Sequence, residues 1–290
     1  MERIDLPPVR RFVLWWMGQG TRYISSNLVI DFTQAHAYLK RLNAQSDAPR
    51  VTVQHLVCAM VGRLYTEFPV ANRRIVGGEV YQPPSVGLAC PVNLLGHEGQ
   101  QTVGETSMML LPQVDRKTLR EIAEASTRTV KSERQGTITH PVARFLFKGV
   151  RYMPGPIFRG GLRGISRFNH SNTLARLSWR ITPVTTGVTN VGAAYTPIEG
   201  ALLRGGAYEL PDKLIHIGSL WGIGAVQEEV VPIDGRAQVR PMLPVTLIFD
   251  HRLFDGVMAS KLLHDSGLGS WPSCVHKTCA DIFEAGFVSV

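Results

Sequence analysis

The sequence predicts an α/β domain, in which short buried strands alternate with amphipathic helices. The clearest observation is an apolar run at residues 245–249, typical of a buried strand, followed by a helical pattern that begins at Asp255 and Gly256. Asp255 is placed to cap that helix. The same order occurs earlier, where residues 23–32 are strand-like and residues 33–42 are helical. The apolar candidates for the inward face of the later helix are Val257, Leu262 and Leu263.

The segments between these two pairs continue the alternation. Thr52 can cap a helix whose apolar residues recur at helical spacing and which ends before Pro69. Asp234 and Gly235 form the turn of a predicted hairpin over residues 226–240, because Asp-Gly favours the tight turns that connect antiparallel strands. The other strand-like segments are residues 79–81, 86–92, 101–111, 187–192 and 213–225. The other predicted helices are residues 10–17, 115–131 and about 274–285.

Length and composition are those of a globular protein. The 290 residues can form one large domain or two small ones, and 44% of them are apolar and 19% are charged. No uninterrupted apolar stretch reaches the ~20 residues that span a bilayer, and the charged first residues lack the apolar core of a signal peptide. The cysteines lack metal-ligand spacing and predict reduced packing thiols in a cytoplasmic protein without a metal. They are Cys58, Cys90, Cys274 and Cys279.

His251 is the candidate for acid–base chemistry. It follows the predicted strand 245–249 directly, between Asp250 and Arg252, and a helix start pins the turn after it. Histidine is the side chain whose ordinary pKa lies nearest neutral pH, so this position suits a general base. A single histidine at a strand end is more often only a polar residue in a tight turn, and the wider run of residues decides between these interpretations.

Residues 250–256, Asp-His-Arg-Leu-Phe-Asp-Gly, resemble the active-site signature of the catalytic domain of dihydrolipoamide acyltransferases, the cores of 2-oxoacid dehydrogenase complexes. The shorter form, His-x-x-x-Asp-Gly, is similar to that of chloramphenicol acetyltransferase and of peptide-synthetase condensation domains. Residues 187–192, Gly-Val-Thr-Asn-Val-Gly, resemble the Ile-Ser-Asn-Leu-Gly run of the acyltransferases, with Thr189 in the serine position. Residues 115–122 match a helix of the type Asp-Arg-Lys-x-Leu-x-Glu-Ile. The resemblance extends from about residue 10 to residue 263.

The resemblance implies a chloramphenicol acetyltransferase-like fold, a two-layer α/β sandwich with a mixed sheet covered by helices. It also implies a homotrimer with sites at the subunit interfaces, where His251 of one chain faces Thr189 of its neighbour. His251 would be the general base, and the Thr189 hydroxyl would donate a hydrogen bond to the oxyanion. Asp255 could orient the imidazole, but capping the helix or pairing with an arginine (Arg10 or Arg11) suits it better. The expected structural residues at the site are Asp250, Arg252, Gly256 and Asn190.

The implied function is acyl transfer by one catalytic domain over residues 1–290, with no lipoyl domain and no subunit-binding domain. The expected enzyme moves an acyl group from coenzyme A, or from the phosphopantetheine of an acyl carrier protein, to a thiol, hydroxyl or amine. No cofactor is expected to be bound permanently, and no metal. Two alternatives stay open: a non-catalytic scaffold that keeps the fold, and a condensation, cyclisation or thioester-hydrolysis reaction in the same cleft. The residues do not identify the acyl chain or the acceptor.

A basic insertion at about residues 136–182 interrupts the resemblance. The net charge is +8, and no acidic residue lies between Glu133 and Glu199. Such a surface can contact the phosphates of coenzyme A, an acidic carrier protein or an anionic membrane, or its cations can simply be solvated around a packed insertion. No nucleic-acid motif accompanies the charge, so nucleic acid is not an expected partner. The nine cations of this interval are Arg134, Arg144, Lys148, Arg151, Arg159, Arg163, Arg167, Arg176 and Arg180.

Overall fold

The computed structural model describes residues 1–6, 23–44, 49–93, 106–134, 152–157, 159–161, 172–193, 195, 201, 203–206 and 216–265. The strands are β1 (Glu2–Arg3), β2 (Tyr23–Asp31), β3 (Arg74–Val76), β4 (Glu79–Gln82), β5 (Leu88–Asn93), β6 (Thr106–Leu111), β7 (Thr186–Asn190), β8 (Ser219–Ile223), β9 (Gln227–Ile233) and β10 (Arg236–Asp250). The helices are α1 (Thr33–Ala44), α2 (Val53–Glu67), α3 (Leu119–Arg134), α4 (Asn172–Ile181) and α5 (Gly256–Asp265).

A seven-stranded mixed sheet is the centre of the fold. Its strand order is β2-β10-β8-β7-β5-β6, and β9 pairs with the first half of β10. The pairs β5–β7 and β7–β8 are parallel, and the other pairs are antiparallel. A second, three-stranded sheet has the order β1-β4-β3. The predicted α/β class and mixed sheet are therefore confirmed.

Helices cover one face of the large sheet. Leu56 and Val61 of α2 share one buried cluster with Trp221 of β8 and Leu247 of β10, and residues of α1 and α3 complete it. The apolar positions predicted for α1 and α2 are buried because the helical repeat places them on one side of each helix. Thr52 occupies the predicted N-cap position of α2, where its N–H donates to the imidazole Nδ1 of His55 at 3.2 Å, one half of a capping box.

β10 joins two elements that the sequence predicts separately. The hairpin strand and the buried run at residues 245–249 are one continuous strand of 15 residues. The hairpin turn is the predicted one, with positive φ angles of 50° at Asp234 and 73° at Gly235, as the turns favoured in two-residue hairpins require. The first half of β10 is largely exposed, whereas the segment from Met242 to Asp250 lies between β2 and β8.

The predicted helix at residues 115–131 begins later than expected. Val114–Arg116 forms a single 3-10 turn, and α3 starts at Leu119. The Asp115 carboxylate accepts the Val86 N–H at 2.9 Å, so it braces the start of β5 instead of entering a helix. The Thr118 N–H and hydroxyl both donate to Glu121, and the Glu121 N–H donates back to Thr118. This capping box sets the start of α3.

The helix α4 is the longest described element of the basic segment. It packs on the small sheet, where Ala175 is fully buried against Val76 and Tyr81. The remainder of that segment, together with the helices predicted at residues 10–17 and 274–285, lies largely or wholly outside the described residues. Cys58 and Cys90 are buried free thiols with their Sγ atoms 3.9 Å apart. Among the residues described, no helix has both the length and the apolar composition that crossing a bilayer requires.

Candidate functional site

His251 lies in the turn between β10 and α5. The strand holds this turn through backbone hydrogen bonds: the Asp250 N–H donates to Gly218 O at 2.9 Å, and the Leu253 N–H donates to Asp250 O at 3.0 Å. The imidazole of His251 is half-buried, and its Nδ1 is buried without a hydrogen-bond partner among the described residues. The sequence prediction of a histidine at a strand end, before a helix start, is therefore confirmed in position.

The carboxylate of Asp250 holds the turn from inside. It is fully buried. It accepts the Arg252 backbone N–H at 2.9 Å, the Arg252 Nε at 2.9 and 3.0 Å, and the Arg252 Nη2 at 2.5 Å. It also contacts the His216 Nε2 at 2.9 Å. The structural role predicted for Asp250 and Arg252 fits these contacts, because a buried carboxylate requires several donors to remain charged.

His216 forms a buried cluster with Asp250 and Arg252, and sequence reasoning missed it. Its Nδ1 accepts the Ile75 N–H at 3.1 Å, so its proton is on Nε2, which donates to Asp250. Burial lowers the pKa of His216; the Asp250 carboxylate opposes this shift, Arg252 and Arg74 reinforce it, and the net shift of the pKa is downward. His216 is therefore neutral near pH 7, and it acts as a hydrogen-bond donor rather than as a cation. A histidine within an apolar strand-like run was the only signal in the sequence.

The electrostatics of the cluster favour a charged carboxylate. Burial alone raises the pKa of Asp250, but the hydrogen bonds from His216 and Arg252 outweigh it and hold this pKa well below its usual range. Arg74 is buried beside the cluster, where its Nη1 donates to Thr182 O at 3.0 Å. Burial lowers the pKa of Arg74 to about 10, so this guanidinium also stays charged near neutral pH.

Asp255 caps α5. Its Oδ1 accepts the Met258 N–H at 2.9 Å, which is the N-cap contact that the sequence predicts, and Gly256 is the first residue of the helix. Leu262 is buried as predicted, but Val257 is 74% exposed, so its prediction as an inward-facing residue is wrong. Val257 is only the second residue of the helix, and its side chain is exposed to solvent. Arg10 and Arg11, the predicted partners of Asp255, lie outside the described residues.

Thr189 and Asn190 form the last two positions of β7, and both are half-buried. The Asn190 Oδ1 accepts the Ala193 N–H at 2.9 Å, which shapes the turn that follows the strand. Gly192 is required there, since a Cβ at this position would lie 2.1 Å from the Gly224 carbonyl oxygen. The predicted strand end and its glycine are therefore confirmed, while the catalytic role of Thr189 remains a prediction.

A buried chain of hydroxyl groups positions β7 against β8 and α2. The Tyr65 hydroxyl contacts the Ser219 Oγ at 2.5 Å and accepts the Trp221 Nε1–H at 3.0 Å. The Ser219 Oγ donates to the Thr186 Oγ1 at 2.7 Å. Burial raises the pKa of Tyr65, so its phenol stays protonated and available to donate. This network fixes the strand that ends in Thr189.

One subunit does not bring Thr189 and His251 together. Thr189 pairs with Gly222 of β8, and Gly222 pairs with Thr246 of β10. His251 follows Thr246 by five residues, which is about 16 Å of extended strand, and two strand spacings add about 10 Å across the sheet. The two residues therefore lie at opposite ends of the central strands.

No metal centre is visible in the part of the chain that the structure describes. These residues contain no group of three or more His, Cys, Asp or Glu side chains that could hold a metal ion.

The family of 2-oxoacid dehydrogenase acyltransferases, catalytic domain, matches residues 218–267. This range contains β8, the hairpin, β10, the His251 turn and α5. The resemblance predicted from the sequence is confirmed for this segment.

Solved structures extend the likeness to the fold as a whole. A probable dihydrolipoamide acetyltransferase from Listeria monocytogenes is similar with a TM-score of 0.57 and 14% identity, covering 91% of this chain and 92% of that one. A dihydrolipoamide acetyltransferase from Azotobacter vinelandii is similar with a TM-score of 0.54 and 17% identity, covering 92% and 90%. Chloramphenicol acetyltransferase is similar with a TM-score of 0.51 and 12% identity, covering 90% and 95%. The chain thus has the chloramphenicol acetyltransferase-like α/β fold that these acyltransferases share.

Proposed function

We propose that this chain is an acyltransferase that takes acyl groups from a thioester and uses His251 as its general base. The observation that carries the proposal is the position of His251. Its imidazole is half-buried, and it lies directly after a buried strand in a turn that the Asp250 carboxylate stabilises. The same turn lies inside the segment that matches the acyltransferase catalytic domain. A fixed, partly buried imidazole that remains accessible to substrate is what general-base catalysis requires.

The reaction needs one base and one oxyanion donor. The imidazole of His251 removes the proton of a thiol, hydroxyl or amine as that group attacks the thioester carbonyl. The Thr189 hydroxyl donates a hydrogen bond to the oxyanion that forms. When the tetrahedral intermediate collapses, the carbon–sulfur bond breaks, and the protonated His251 returns its proton to the departing thiolate. The acyl group passes directly to the acceptor, and no acyl-enzyme is required.

The complete site contains residues from two copies of the chain. The register of the sheet supports this arrangement, because Thr189 and His251 of one subunit are separated by five residues along β10 and by two strand spacings. A homotrimer in which each His251 faces the Thr189 of a neighbour would supply both groups three times by rotation. Neither group has to leave its strand end for this arrangement to form.

Asp255 has a structural role in this proposal. The Azotobacter vinelandii structure concerns the role of a serine, a histidine and an asparagine in the catalytic mechanism of that enzyme, and its histidine and asparagine are four positions apart. His251 and Asp255 have the same spacing. Here the Asp255 carboxylate accepts the N–H of Met258 and so fixes the helix that follows the histidine turn. We infer that Asp255 sets the position of the turn and does not exchange a proton.

The proposed donor is coenzyme A or a carrier-bound phosphopantetheine, acting as co-substrate, and the proposed location is the cytoplasm. The described part of the basic segment supports an anionic partner, since Arg176 and Arg180 are exposed on α4 and face solvent beside the exposed Leu177 and Ile181. Cations mixed with apolar side chains suit an acidic carrier protein or an anionic membrane.

Incubation with defined acyl thioesters tests the proposal. The purified oligomer would be incubated with a panel of acyl-coenzyme A and acyl-carrier donors and with dihydrolipoamide, an alcohol or an amine as acceptor. Release of free thiol and the mass of the acyl product would be measured together. We expect turnover with at least one donor and a ~10²–10⁴-fold loss in His251→Ala, the usual contribution of a general base.

The alternatives have distinct outcomes in the same experiment. Unchanged turnover in a folded His251→Ala variant would exclude His251 as the base. Failure to bind or turn over every thioester would favour a non-catalytic scaffold. A product whose mass corresponds to condensation, cyclisation or hydrolysis would replace simple transfer with that reaction.

A further inference from the structure

We propose that His216 is a positioning residue for the proposed base, and that it holds the His251 turn through the buried carboxylate of Asp250. The first link is the Ile75 N–H, which donates to the His216 Nδ1 at 3.1 Å. The second is the His216 Nε2–H, which donates to the Asp250 Oδ2 at 2.9 Å. Asp250 immediately precedes His251, so two hydrogen bonds connect β3 of the small sheet to the His251 turn.

The origin of each donor to Asp250 explains why His216 is needed. Arg252 makes most of the contacts to the carboxylate, but it lies two residues away in the same turn and moves with it. His216 is 34 residues away in the sequence, and its burial in the fold holds it in place in addition to its bond to Ile75. Of the hydrogen bonds to the Asp250 carboxylate, the one from His216 therefore connects the turn to the rest of the fold.

The carboxylate in turn sets the conformation around His251. The Asp250 Oδ1 accepts the Arg252 backbone N–H at 2.9 Å, across His251 in the sequence. This contact closes the backbone on both sides of the histidine, in the way that aspartate side chains stabilise local turns. A rotation of the Asp250 side chain would release that bond and let the imidazole change its direction. His216 is buried, with 5% of its surface exposed, and this burial restricts how far its ring can follow such a rotation.

The two hydrogen bonds of His216 set the tautomer that this role requires, and the nearby cations disfavour a second proton on the ring. Arg252 and Arg74 are the cations that face the imidazole, and Asp250 is the facing anion. The hydrogen bond from Ile75 needs a free lone pair on Nδ1, so a second proton on the ring would break it. The neutral ring with its proton on Nε2 is the form that satisfies both neighbours.

Two substitutions separate the two hydrogen bonds of His216. In His216→Gln, the terminal amide nitrogen can still donate to Asp250, but the acceptor for the Ile75 N–H is lost. In His216→Asn, the shorter side chain can still accept from Ile75 but does not reach Asp250. The positioning role predicts that the state of His251 follows the contact with Asp250, so the glutamine variant resembles the wild type and the asparagine variant does not.

The readout is the rate at which diethylpyrocarbonate modifies His251, measured by peptide mass spectrometry on the intact oligomer. We expect severalfold faster modification in His216→Asn, because a released turn exposes the imidazole, and a rate close to that of the wild type in His216→Gln. His36 in the same digest is the internal control, since it lies on α1, outside the cluster, and its rate should not change. Equal rates at His251 in all three proteins would overturn the proposal, and so would equal changes in both variants.

A second measurement, the turnover of the His216 variants with an acyl donor, rests on the proposed function, whereas the modification assay does not. With an active donor, His216→Asn should lower kcat by ~10–100-fold with little change in KM, since a displaced catalytic group costs rate more than binding. Absence of turnover in every protein, with the modification pattern as expected, would reject the proposed function and leave the positioning role standing. If both variants unfold, nitrogen NMR of the wild type provides the test. Protonation of His216 between pH 6 and pH 7 would contradict a neutral ring that accepts from Ile75 and donates to Asp250.

Discussion

Thr189 and His251 lie at opposite ends of the central strands of one subunit, separated by five residues along β10 and by two strand spacings across the sheet. Hydrogen-bonded strands do not slide past one another in a folded sheet, so this separation is a fixed property of the subunit. If both residues act on one substrate, each must meet its counterpart from another copy.

Mixing two inactive variants tests this arrangement. Co-expression of His251→Ala and Thr189→Val subunits should restore activity, because some interfaces then contain an intact His251 from one chain and an intact Thr189 from the other. Random mixing gives such an interface about a quarter of the time in a rotationally symmetric oligomer. Each variant expressed alone provides the baseline, and no activity above that baseline in mixed oligomers would contradict the shared site.

Conservative substitution of Thr189 tests the oxyanion donor. Thr189→Val keeps the shape and the preference for a strand but removes the hydroxyl, and we expect kcat to fall ~10²–10³-fold, the usual cost of losing one such donor. Thr189→Ser keeps the hydroxyl and should retain most of the activity. Steady-state kinetics with one acyl donor measures both variants. Equal activity in the valine and serine variants would remove Thr189 from the mechanism.

Substitution of Asp255 separates a cap from a catalytic carboxylate. Asp255→Ala removes the acceptor for the Met258 N–H and should lower the free energy of unfolding by about 1 kcal/mol, as N-cap truncations usually do. Asp255→Ser can cap the helix without a titratable group, and it should retain both stability and turnover. Urea denaturation and steady-state kinetics measure the two effects. A serine variant that is stable but inactive would show that the carboxylate takes part in the chemistry.

Acidification should destabilise the protein partly through His55. This residue is buried and accepts the Thr52 N–H, and burial lowers its pKa from 6.5 to about 4. His55 therefore binds a proton near pH 6.5 in the unfolded chain but only near pH 4 in the folded chain. The free energy of unfolding falls as the pH decreases through this window. The loss due to His55 is about 2 kcal/mol at pH 5.

His55→Gln is the matched control for this pH effect, because glutamine can accept the same N–H bond and does not titrate. The difference in free energy of unfolding between pH 7.5 and pH 5, measured in urea, should be smaller in the variant. It should not vanish, since burial also lowers the pKa of His216 and shifts stability in the same direction. An identical pH dependence in the variant and the wild type would exclude His55 as a source of the acid sensitivity.

Local patterns predicted the secondary structure well where one element's own residues decide it. The apolar repeat of α2, the turn at Asp234 and Gly235, and the cap at Asp255 each depend on contacts within a few residues, and each is found as predicted. The start of α3 was misplaced because Asp115 makes its hydrogen bond to Val86, 29 residues away. A contact of that range leaves no trace in the local pattern.

The candidate site divides in the same way. The run around His251 and the strand end at Thr189 were recognised through their resemblance to acyltransferase motifs, and the sequence determined which side chains are available for chemistry and which turns and caps present them. Only the tertiary structure decided that His216 supports Asp250 from 34 residues away, and that Thr189 and His251 of one chain cannot meet. The physical reason is that strand register and buried hydrogen bonds join residues distant in the chain, and these pairings are settled by packing of the whole sheet rather than by any local preference.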